Sequence, residues 1–108
     1  MPETILRRWA GRIRTTDADA YRDYIAGTGG SDYTGTPGNL GYRMLMRALD
    51  DGTTEVVTES LWVSLDAIRA FAGNDISIAR YYPEDDRFLL ERPEHVAHYR
   101  IVDSANKS

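Results

Sequence analysis

The order of secondary-structure elements over residues 61–102 constrains the fold of this chain more than any other feature. A predicted strand ends in Leu61-Trp62-Val63, and Ser64 is an N-cap residue that opens an amphipathic helix. An aromatic and acidic stretch follows over residues 79–86, and a final strand is predicted over residues 95–102. This strand–helix–strand order is typical of domains that pack helices on one face of a sheet. The apolar stripe of the helix has helical spacing: Leu65, Ile68, Phe71 and Ala72.

The first part of the chain has the same organisation. Residues 5–14 alternate in polarity as a strand does. Thr15-Thr16-Asp17 predicts the start of a helix, and Asp19 lies three residues after Thr16, as in a capping box. Gly27 is a typical residue at the C-terminal end of a helix. A second strand–helix unit is therefore predicted.

The middle of the chain connects the two units. Residues 27–41 contain six of the nine glycines, which predicts a loop that is either a surface connection or a mobile lid over a pocket. Residues 40–49 and 54–63 are predicted strands. Asp50-Asp51-Gly52-Thr53 between them predicts a hairpin turn, because an Asp-Gly pair tolerates the positive φ of such turns.

Two short elements complete the prediction. A helical turn is expected over residues 75–82, ended by Pro83, and an extended piece over residues 87–91. The order strand–helix–strand, twice, predicts the α+β class with a ferredoxin-like βαββαβ topology, a four-stranded antiparallel sheet and two helices on one face. We expect one domain over residues 1–108.

Both faces of the predicted sheet carry apolar side chains. The first strand has Ile5 and Ile13 on one face and Leu6 and Ala10 on the other. Two helices cover one face only, so the apolar side chains of the other face stay exposed. Burying each of them would be worth about 1.5–3 kcal/mol. The pattern predicts a homodimer in which two sheets pack face to face as a dimeric α+β barrel. The alternative is that long arginine side chains shield the second face.

Composition excludes several classes of site and partner. The 108-residue chain has no cysteine, which excludes disulfides, thiolate metal sites and cysteine nucleophiles. Its net charge of -4 argues against a nucleic-acid partner. The arginines near the N-terminus, Arg7, Arg8, Arg12 and Arg14, are interpreted as a solvated or salt-bridged strand face. With neither a signal-peptide run nor a membrane-length apolar stretch in the sequence, we expect a cytoplasmic protein that binds no membrane.

Three motifs resemble one protein family. They are Trp62-x-Ser64-x-x-Ala67-Ile68-x-Ala70-Phe71-Ala72-Gly73, Ala79-x-Tyr81-Tyr82-Pro83-Glu84-Asp85 and Val96-x-His98-Tyr99-x-Ile101-Val102. With the element order, they resemble the antibiotic biosynthesis monooxygenase-like group of the dimeric α+β barrel superfamily. That superfamily includes cofactor-free quinone-forming oxygenases, heme-degrading enzymes, isomerases, stress proteins and members without an assigned activity.

The heme-degrading branch has a residue pattern that this chain lacks. That pattern has a tryptophan in the second helix, a heme-ligating histidine ten residues later and an asparagine in the first strand. This chain has Phe71 at the tryptophan position and Tyr81 at the histidine position, and residues 4–14 contain no asparagine. The resemblance therefore argues against heme degradation by that mechanism.

The resemblance implies a cofactor-independent monooxygenase that acts on a small aromatic or quinone-type molecule, with neither a metal nor a flavin as cofactor. Such an enzyme needs an apolar slot between helices and sheet, a base, and donors for a developing oxyanion. We expect His98 to be the base, because histidine titrates near neutral pH, and Tyr81 to be a second catalytic residue. The expected substrate-binding residues are Trp9, Trp62, Tyr82, Asn39 and Arg80.

Each assignment has a structural alternative. Trp62 is also typical of a core residue, and His98 of a packed, hydrogen-bonded one. The run Glu84-Asp85-Asp86 is interpreted as a solvated turn, because it lacks the alternating ligands of a calcium loop. Two further hypotheses stay open for the whole protein. One is a non-catalytic ligand-binding or accessory protein with the same pocket, and the other is a structural dimer with a filled core.

Overall fold

An antiparallel sheet built around its first strand organises the molecule. The computed structural model describes residues 4–105. β1 lies in the centre, with β3 on one side and with β4 and β5 on the other, and β2 pairs with the outer edge of β3. Because β4 and β5 pair with opposite ends of β1, they share one strand position. The strands are β1 (Ile5–Arg14), β2 (Asn39–Ala48), β3 (Thr53–Trp62), β4 (Leu89–Glu91) and β5 (Ala97–Arg100).

Across the described residues, four α-helices and one 3-10 turn connect the strands. The turn (Thr15–Asp17) joins β1 to α1. Ser64 caps α3 as predicted, since its Oγ accepts a hydrogen bond from the backbone N–H of Ala67 at 3.1 Å. In residues 4–105, no helix is long and apolar enough to cross a membrane. The helices are α1 (Ala18–Gly27), α2 (Gly29–Gly35), α3 (Leu65–Ala72) and α4 (Asp85–Phe88).

The sheet has one face against the helices and one open face. Every second residue of β3, from Thr54 to Trp62, is buried against the helices. Register pairs Arg7 with Ser60 and Trp9 with Thr58, so these β1 side chains lie on the same helix-facing side. The intervening residues form the opposite surface, which we call the open face. Its apolar members are Leu6, Ala10, Leu45, Val57, Leu61 and Tyr99.

The core consists of two clusters on the helix-facing side. One packs α1 and α4 against the sheet through Ile13, Tyr21, Val56 and Phe88. The other packs α2 and α3 against the opposite end of the sheet and contains Ile5, Tyr33, Trp62, Ile68 and Phe71. The space between the two clusters is where the candidate site lies.

The predicted class and topology are confirmed: the structure is an α+β, ferredoxin-like domain with an antiparallel sheet. The predicted hairpin turn is confirmed as well. Gly52 has φ +82°, and the backbone N–H of Leu49 donates to the carbonyl oxygen of Thr53 at 2.8 Å. Glycine is favoured at this position because it adopts a positive φ without steric cost.

The prediction of a loop over residues 27–41 is wrong in its centre, where α2 forms instead. Glycine allows this helix to approach the sheet closely. A Cβ atom on Gly30 would lie 2.2 Å from the hydroxyl oxygen of Tyr42 on β2. The glycines that indicated a flexible connection thus permit tight packing here.

Three local predictions need correction. Residues 75–82 do not form the predicted helical turn; instead, Ile78 pairs with His95 in an isolated bridge. The short helix in this region is α4, which begins after Pro83. The capping box at Thr16 is absent, because the 3-10 turn replaces it and the N-cap of α1 makes no side-chain hydrogen bond. The last strand, β5, is shorter than predicted, since hydrogen bonding to β1 limits it to four residues.

We predict that Ser64→Ala lowers the free energy of unfolding by about 1 kcal/mol, because it removes the acceptor for the Ala67 N–H. Thr16→Ala is the matched control, since Thr16 makes no capping hydrogen bond in the described structure. Urea denaturation of both variants tests this. Equal losses in the two variants would contradict the capping assignment.

Candidate functional site

A cavity lies between the two core clusters, bounded by β1 and β3 below and by α1, α2, α3 and residues 79–85 around it. The centres of water-sized molecules can occupy about 40 Å³ of it. This is room for about three waters. Charged residues Arg7, Arg80 and Asp85 share the lining with aromatic residues. The aromatic residues are Trp9, Tyr21, Tyr33, Phe71, Tyr81 and Tyr82.

Asp85 is a buried carboxylate in this cavity. It stands at the first position of α4, and 3% of it is exposed. Its Oδ2 accepts a hydrogen bond from the backbone N–H of Tyr82 at 2.6 Å, whereas its Oδ1 is buried without a partner in residues 4–105. Burial raises the pKa of Asp85, and the Tyr82 hydrogen bond opposes that shift. An unpartnered carboxylate oxygen with a raised pKa is suited to accept a proton from a ligand.

The hydroxyl group of Tyr24 lies near Asp85 and is also buried without a partner in the described part of the chain. Burial, followed by the Asp85 charge, raises the pKa of Tyr24 to about 12, so the phenol is neutral at pH 7. A hydrogen-bond interaction with the Tyr24 hydroxyl group lowers the pKa of Asp85, but its geometry falls short of a well-aligned hydrogen bond. Each of the two groups bears a desolvation cost of about 1–3 kcal/mol.

Arg7 supplies a buried positive charge to the same cavity. Arg7 is 3% exposed, so the interpretation of this residue as part of a solvated strand face is wrong. Position 7 lies on the helix-facing side of β1, in register with Ser60. The guanidinium donates to the carbonyl oxygens of Ile76 at 2.5 Å and Ile78 at 3.2 Å. Burial lowers the pKa of Arg7 from its usual range.

His98 contacts Arg7 and is not part of the cavity lining. Its Nε2 lies 3.0 Å from Nη1 of Arg7, which can only donate, so Nε2 is the acceptor. Burial, and then the charge of Arg7, lower the pKa of His98, which makes the imidazole neutral at pH 7. In this arrangement His98 orients the guanidinium.

A polar cluster joins α2 to the segment that follows α3 at the cavity edge. Asp32 forms an ion pair with Arg80 at 3.2 Å and accepts a hydrogen bond from the Tyr82 hydroxyl group. Burial raises the pKa of Tyr82, as does the bond to Asp32. The guanidinium of Arg80 also lies 4.9 Å from the centre of the Phe71 ring. These contacts make α2 a wall of the cavity.

Tyr81 has both of its hydrogen-bonding roles occupied. Its hydroxyl oxygen accepts from Nε1 of Trp9 at 3.1 Å, and its O–H donates to the carbonyl oxygen of Pro93 at 2.5 Å. The two rings meet edge to face at 6.3 Å. Tyr81 therefore fixes the orientation of Trp9 in the cavity wall.

The structure brings together some of the expected site residues and separates others. The lining includes Trp9, Arg80, Tyr81 and Tyr82. Trp62 is fully buried in the core, where its Nε1 donates to Ser60 Oγ at 2.8 Å. Asn39 stabilises the start of β2 by donating to the carbonyl oxygen of Leu61 at 3.2 Å. Neither of these two side chains belongs to the cavity lining.

Sequence reasoning missed Arg7 and Asp85, the two buried charges of the cavity. A signal existed for Arg7, because its position alternates with Ile5 and Trp9 on the face that packs against helices. For Asp85 the local signal was misleading, since an acidic run after a proline is typical of an exposed turn. Within residues 4–105, no group of three or more histidine and acidic side chains is placed to hold a metal ion.

Structural comparison identifies the fold. A candidate antibiotic biosynthesis monooxygenase from Bacillus cereus has a TM-score of 0.69 at 13% identity, over 97% of this chain and 99% of that one. A second, from Nitrosomonas europaea, has a TM-score of 0.63 at 15% identity, over 94% and 91% of the two chains. The fold is that of the antibiotic biosynthesis monooxygenase-like group.

The same group of neighbours includes proteins with a different named activity. A heme-degrading protein from Mycobacterium tuberculosis has a TM-score of 0.58 at 14% identity, over 99% of this chain and 100% of that one. No protein-family model and no curated protein matches the chain by sequence. At these identities the monooxygenase-like fold is shared, and the activity has to be argued from the cavity.

We predict that Asp85→Asn raises the free energy of unfolding at pH 7 by about 1 kcal/mol, because it removes a buried charge and supplies a donor for Tyr24. The pKa of Asp85 is raised in the folded protein, so the native carboxyl destabilises the fold when ionised, and protonation at lower pH relieves this. The difference between variant and native protein should therefore shrink as the pH falls towards 4.

Urea denaturation at several pH values measures this difference. Asp23→Asn is the control, since Asp23 is an exposed carboxylate that pairs with Arg22 at 3.4 Å. A loss of stability in Asp85→Asn at pH 7 would contradict the assignment of Asp85 as an uncompensated buried charge.

Proposed function

We propose that this protein is a cofactor-independent monooxygenase that acts on a small aromatic or quinone-type molecule. The observation that supports it best is the unpartnered Oδ1 of Asp85 in an aromatic cavity that also contains the Arg7 cation. Removing a proton from a phenol-type ring requires a base and a positive charge for the resulting anion. The shared fold with proteins named as candidate monooxygenases supports the same proposal.

The proposed reaction begins when Asp85 Oδ1 accepts a proton from an acidic CH₂ carbon of the substrate, such as the keto tautomer of a phenol. The electron pair left behind spreads onto the ring oxygen, where the charge of Arg7 stabilises it. This electron-rich anion reduces O₂, and one oxygen atom bonds to the ring carbon as a peroxide that takes back the proton from Asp85. Loss of water then converts the original CH₂ and O₂ into C=O and H₂O.

Two residues expected to be catalytic have supporting roles in this proposal. His98 acts through Arg7, which its Nε2 holds by a hydrogen bond, and is a positioning residue. Tyr81 keeps Trp9 in place as a ring-stacking surface. Asp85 is favoured over His98 as the base because it lines the cavity and has an oxygen without a partner among the described residues.

The second candidate is a non-catalytic ligand-binding or accessory protein of the same fold. The occupied hydroxyl group of Tyr81 favours it, since that phenol has no free proton to give to a ligand. Binding would need only the charge of Arg7 and the ring walls, and Asp85 would have no chemical role.

Oxygen uptake distinguishes these two candidates. With monocyclic phenols and hydroquinones as a panel, and anthrones as larger analogues, we expect turnover above the rate without protein. Asp85→Asn should lower that turnover by about 100-fold or more, because it removes the base. Asp23→Asn, which removes an exposed carboxylate, should leave it unchanged.

Two results would overturn parts of this proposal. Absence of oxygen uptake by the native protein across the panel would favour the binding protein. Full activity in Asp85→Asn with loss of activity in His98→Ala would return the role of base to His98.

We also propose that the open face pairs with a second copy of this chain in the cytoplasm. On this face Leu45 is opposite Val57 and Leu6 is opposite Tyr99, so two apolar rows lie on either side of a charged row. The ion pair Arg43–Glu59 at 2.7 Å lies between the two apolar rows, and Arg47–Glu55 at 3.4 Å lies beyond Leu45 and Val57, so these charges are paired within the chain. Apolar rows that alternate with ion pairs formed within the chain fit a two-fold interface.

Leu45→Lys should weaken the dimer by about 100-fold, because the two-fold axis places two ammonium groups in the apolar interface. Leu65→Lys is the matched control: Leu45 is 41% and Leu65 is 42% exposed, but Leu65 lies on α3, away from the open face. Sedimentation velocity over a range of concentrations measures the effect. A native protein that stays monomeric at micromolar concentration would contradict the proposed dimer.

A further inference from the structure

The cavity contains a positive charge that the described protein does not balance. Arg7 is 3% exposed, and none of the acidic side chains in residues 4–105 forms an ion pair with it. Burying a guanidinium without a carboxylate costs free energy that hydrogen bonds to neutral acceptors recover only in part. The site thus has an unmet requirement for negative charge.

The other charges of the cavity do not meet this requirement. Arg80 is paired with Asp32 at the cavity edge. Asp85 accepts its hydrogen bond from the backbone N–H of Tyr82 and forms no ion pair with Arg7 in the described residues. Asp85 and Arg7 therefore act as separate charges that line the same cavity.

The hydrogen bonds of Arg7 leave two N–H groups of its guanidinium unused. Nη1 donates both of its hydrogens, to Ile76 and His98, and Nη2 donates one, to Ile78. A guanidinium has five N–H groups, so one on Nε and one on Nη2 have no partner in the described residues. These two nitrogens form the fork that matches the two oxygens of a carboxylate.

The surroundings of Arg7 fit an aromatic ring beside that carboxylate. Its guanidinium lies 5.8 Å from the centre of the Phe71 ring, which in turn stacks on Tyr33 at 4.7 Å. Trp9 follows on the same face of β1. The space open to water centres is about 40 Å³, which favours a small ligand over a large one.

From these contacts we propose that the ligand of the cavity is a monocyclic aromatic carboxylate, whose two carboxylate oxygens pair with Nε and Nη2 of Arg7. The proposal deepens the function proposed above and names its substrate class: a hydroxylated benzoate. The carboxylate and the ring oxygen next to it lie on the Arg7 side, where the charge of Arg7 acts on both, and the acidic CH₂ carbon of the keto tautomer faces Asp85. Neutral phenols and hydroquinones are weaker ligands because they leave the charge of Arg7 unbalanced.

Binding of benzoate and of its neutral isostere benzamide tests the ligand class without any turnover. By isothermal titration calorimetry, the native protein should bind benzoate at least about 10-fold more tightly than benzamide. Arg7→Met should abolish that preference, and Arg22→Met, which removes an exposed charge from α1, should retain it. Equal affinity of the native protein for the two probes overturns the proposal, and this comparison needs no variant.

Arg7→Lys keeps the charge but loses the fork, so the preference for benzoate should fall by several-fold without disappearing. A preference that is the same in Arg7→Lys and in the native protein would overturn the two-point contact.

Oxygen uptake then separates this inference from the proposed function. Benzoate-selective binding without turnover of hydroxybenzoates leaves the ligand class intact and removes the monooxygenase. Turnover of neutral hydroquinones with no advantage for hydroxybenzoates supports the monooxygenase and overturns the proposed ligand class.

Discussion

The guanidinium of Arg7 needs hydrogen-bond acceptors inside the protein, and the groups that supply them shape the cavity side of the molecule. Two acceptors are the carbonyl oxygens of Ile76 and Ile78, which hold an irregular segment against the end of β1. The same segment is held on its other side by a bond from the N–H of Val96 to the Ser77 carbonyl, at 2.8 Å. Once residues 76–79 are fixed in this way, the chain that follows passes along the cavity and delivers its aromatic and acidic side chains to it.

The glycine-rich segment closes the cavity from the opposite direction. Gly30 allows α2 to pack against Tyr42, and this close approach brings Tyr33 over the Phe71 ring. Asp32 then reaches Arg80 across the edge of the cavity. The two walls meet through stacked rings and one ion pair, so the shape of the cavity depends on α2 as much as on the sheet.

Of the three buried side-chain polar atoms without a hydrogen-bond partner in residues 4–105, Asp85 Oδ1 lies in this cavity. The Tyr24 hydroxyl group is a second such atom and lies beside Asp85, and burial of both groups is costly. Two N–H groups of Arg7 also make no hydrogen bond within the described residues. Natural proteins tolerate such costs mainly at functional sites. The shared fold does not select a reaction, because similar folds support different named activities. The arrangement of a base and a cation along an aromatic cavity is therefore the stronger functional argument.

The sequence by itself determined the α+β class, the ferredoxin-like order of elements, the Asp-Gly hairpin turn and the cap at Ser64, since periodicity, turn residues and capping act over a few residues. It also predicted four of the residues that line the cavity, all aromatic or positively charged. Only the tertiary structure decided that the glycine-rich segment forms a helix, that Arg7 and Asp85 are buried, and that His98 faces Arg7. Each of these outcomes depends on contacts between distant parts of the chain, such as Gly30 with Tyr42 and Arg7 with Ile76. Local propensity does not encode such contacts, because burial of a charge depends on which partners the fold brings to it.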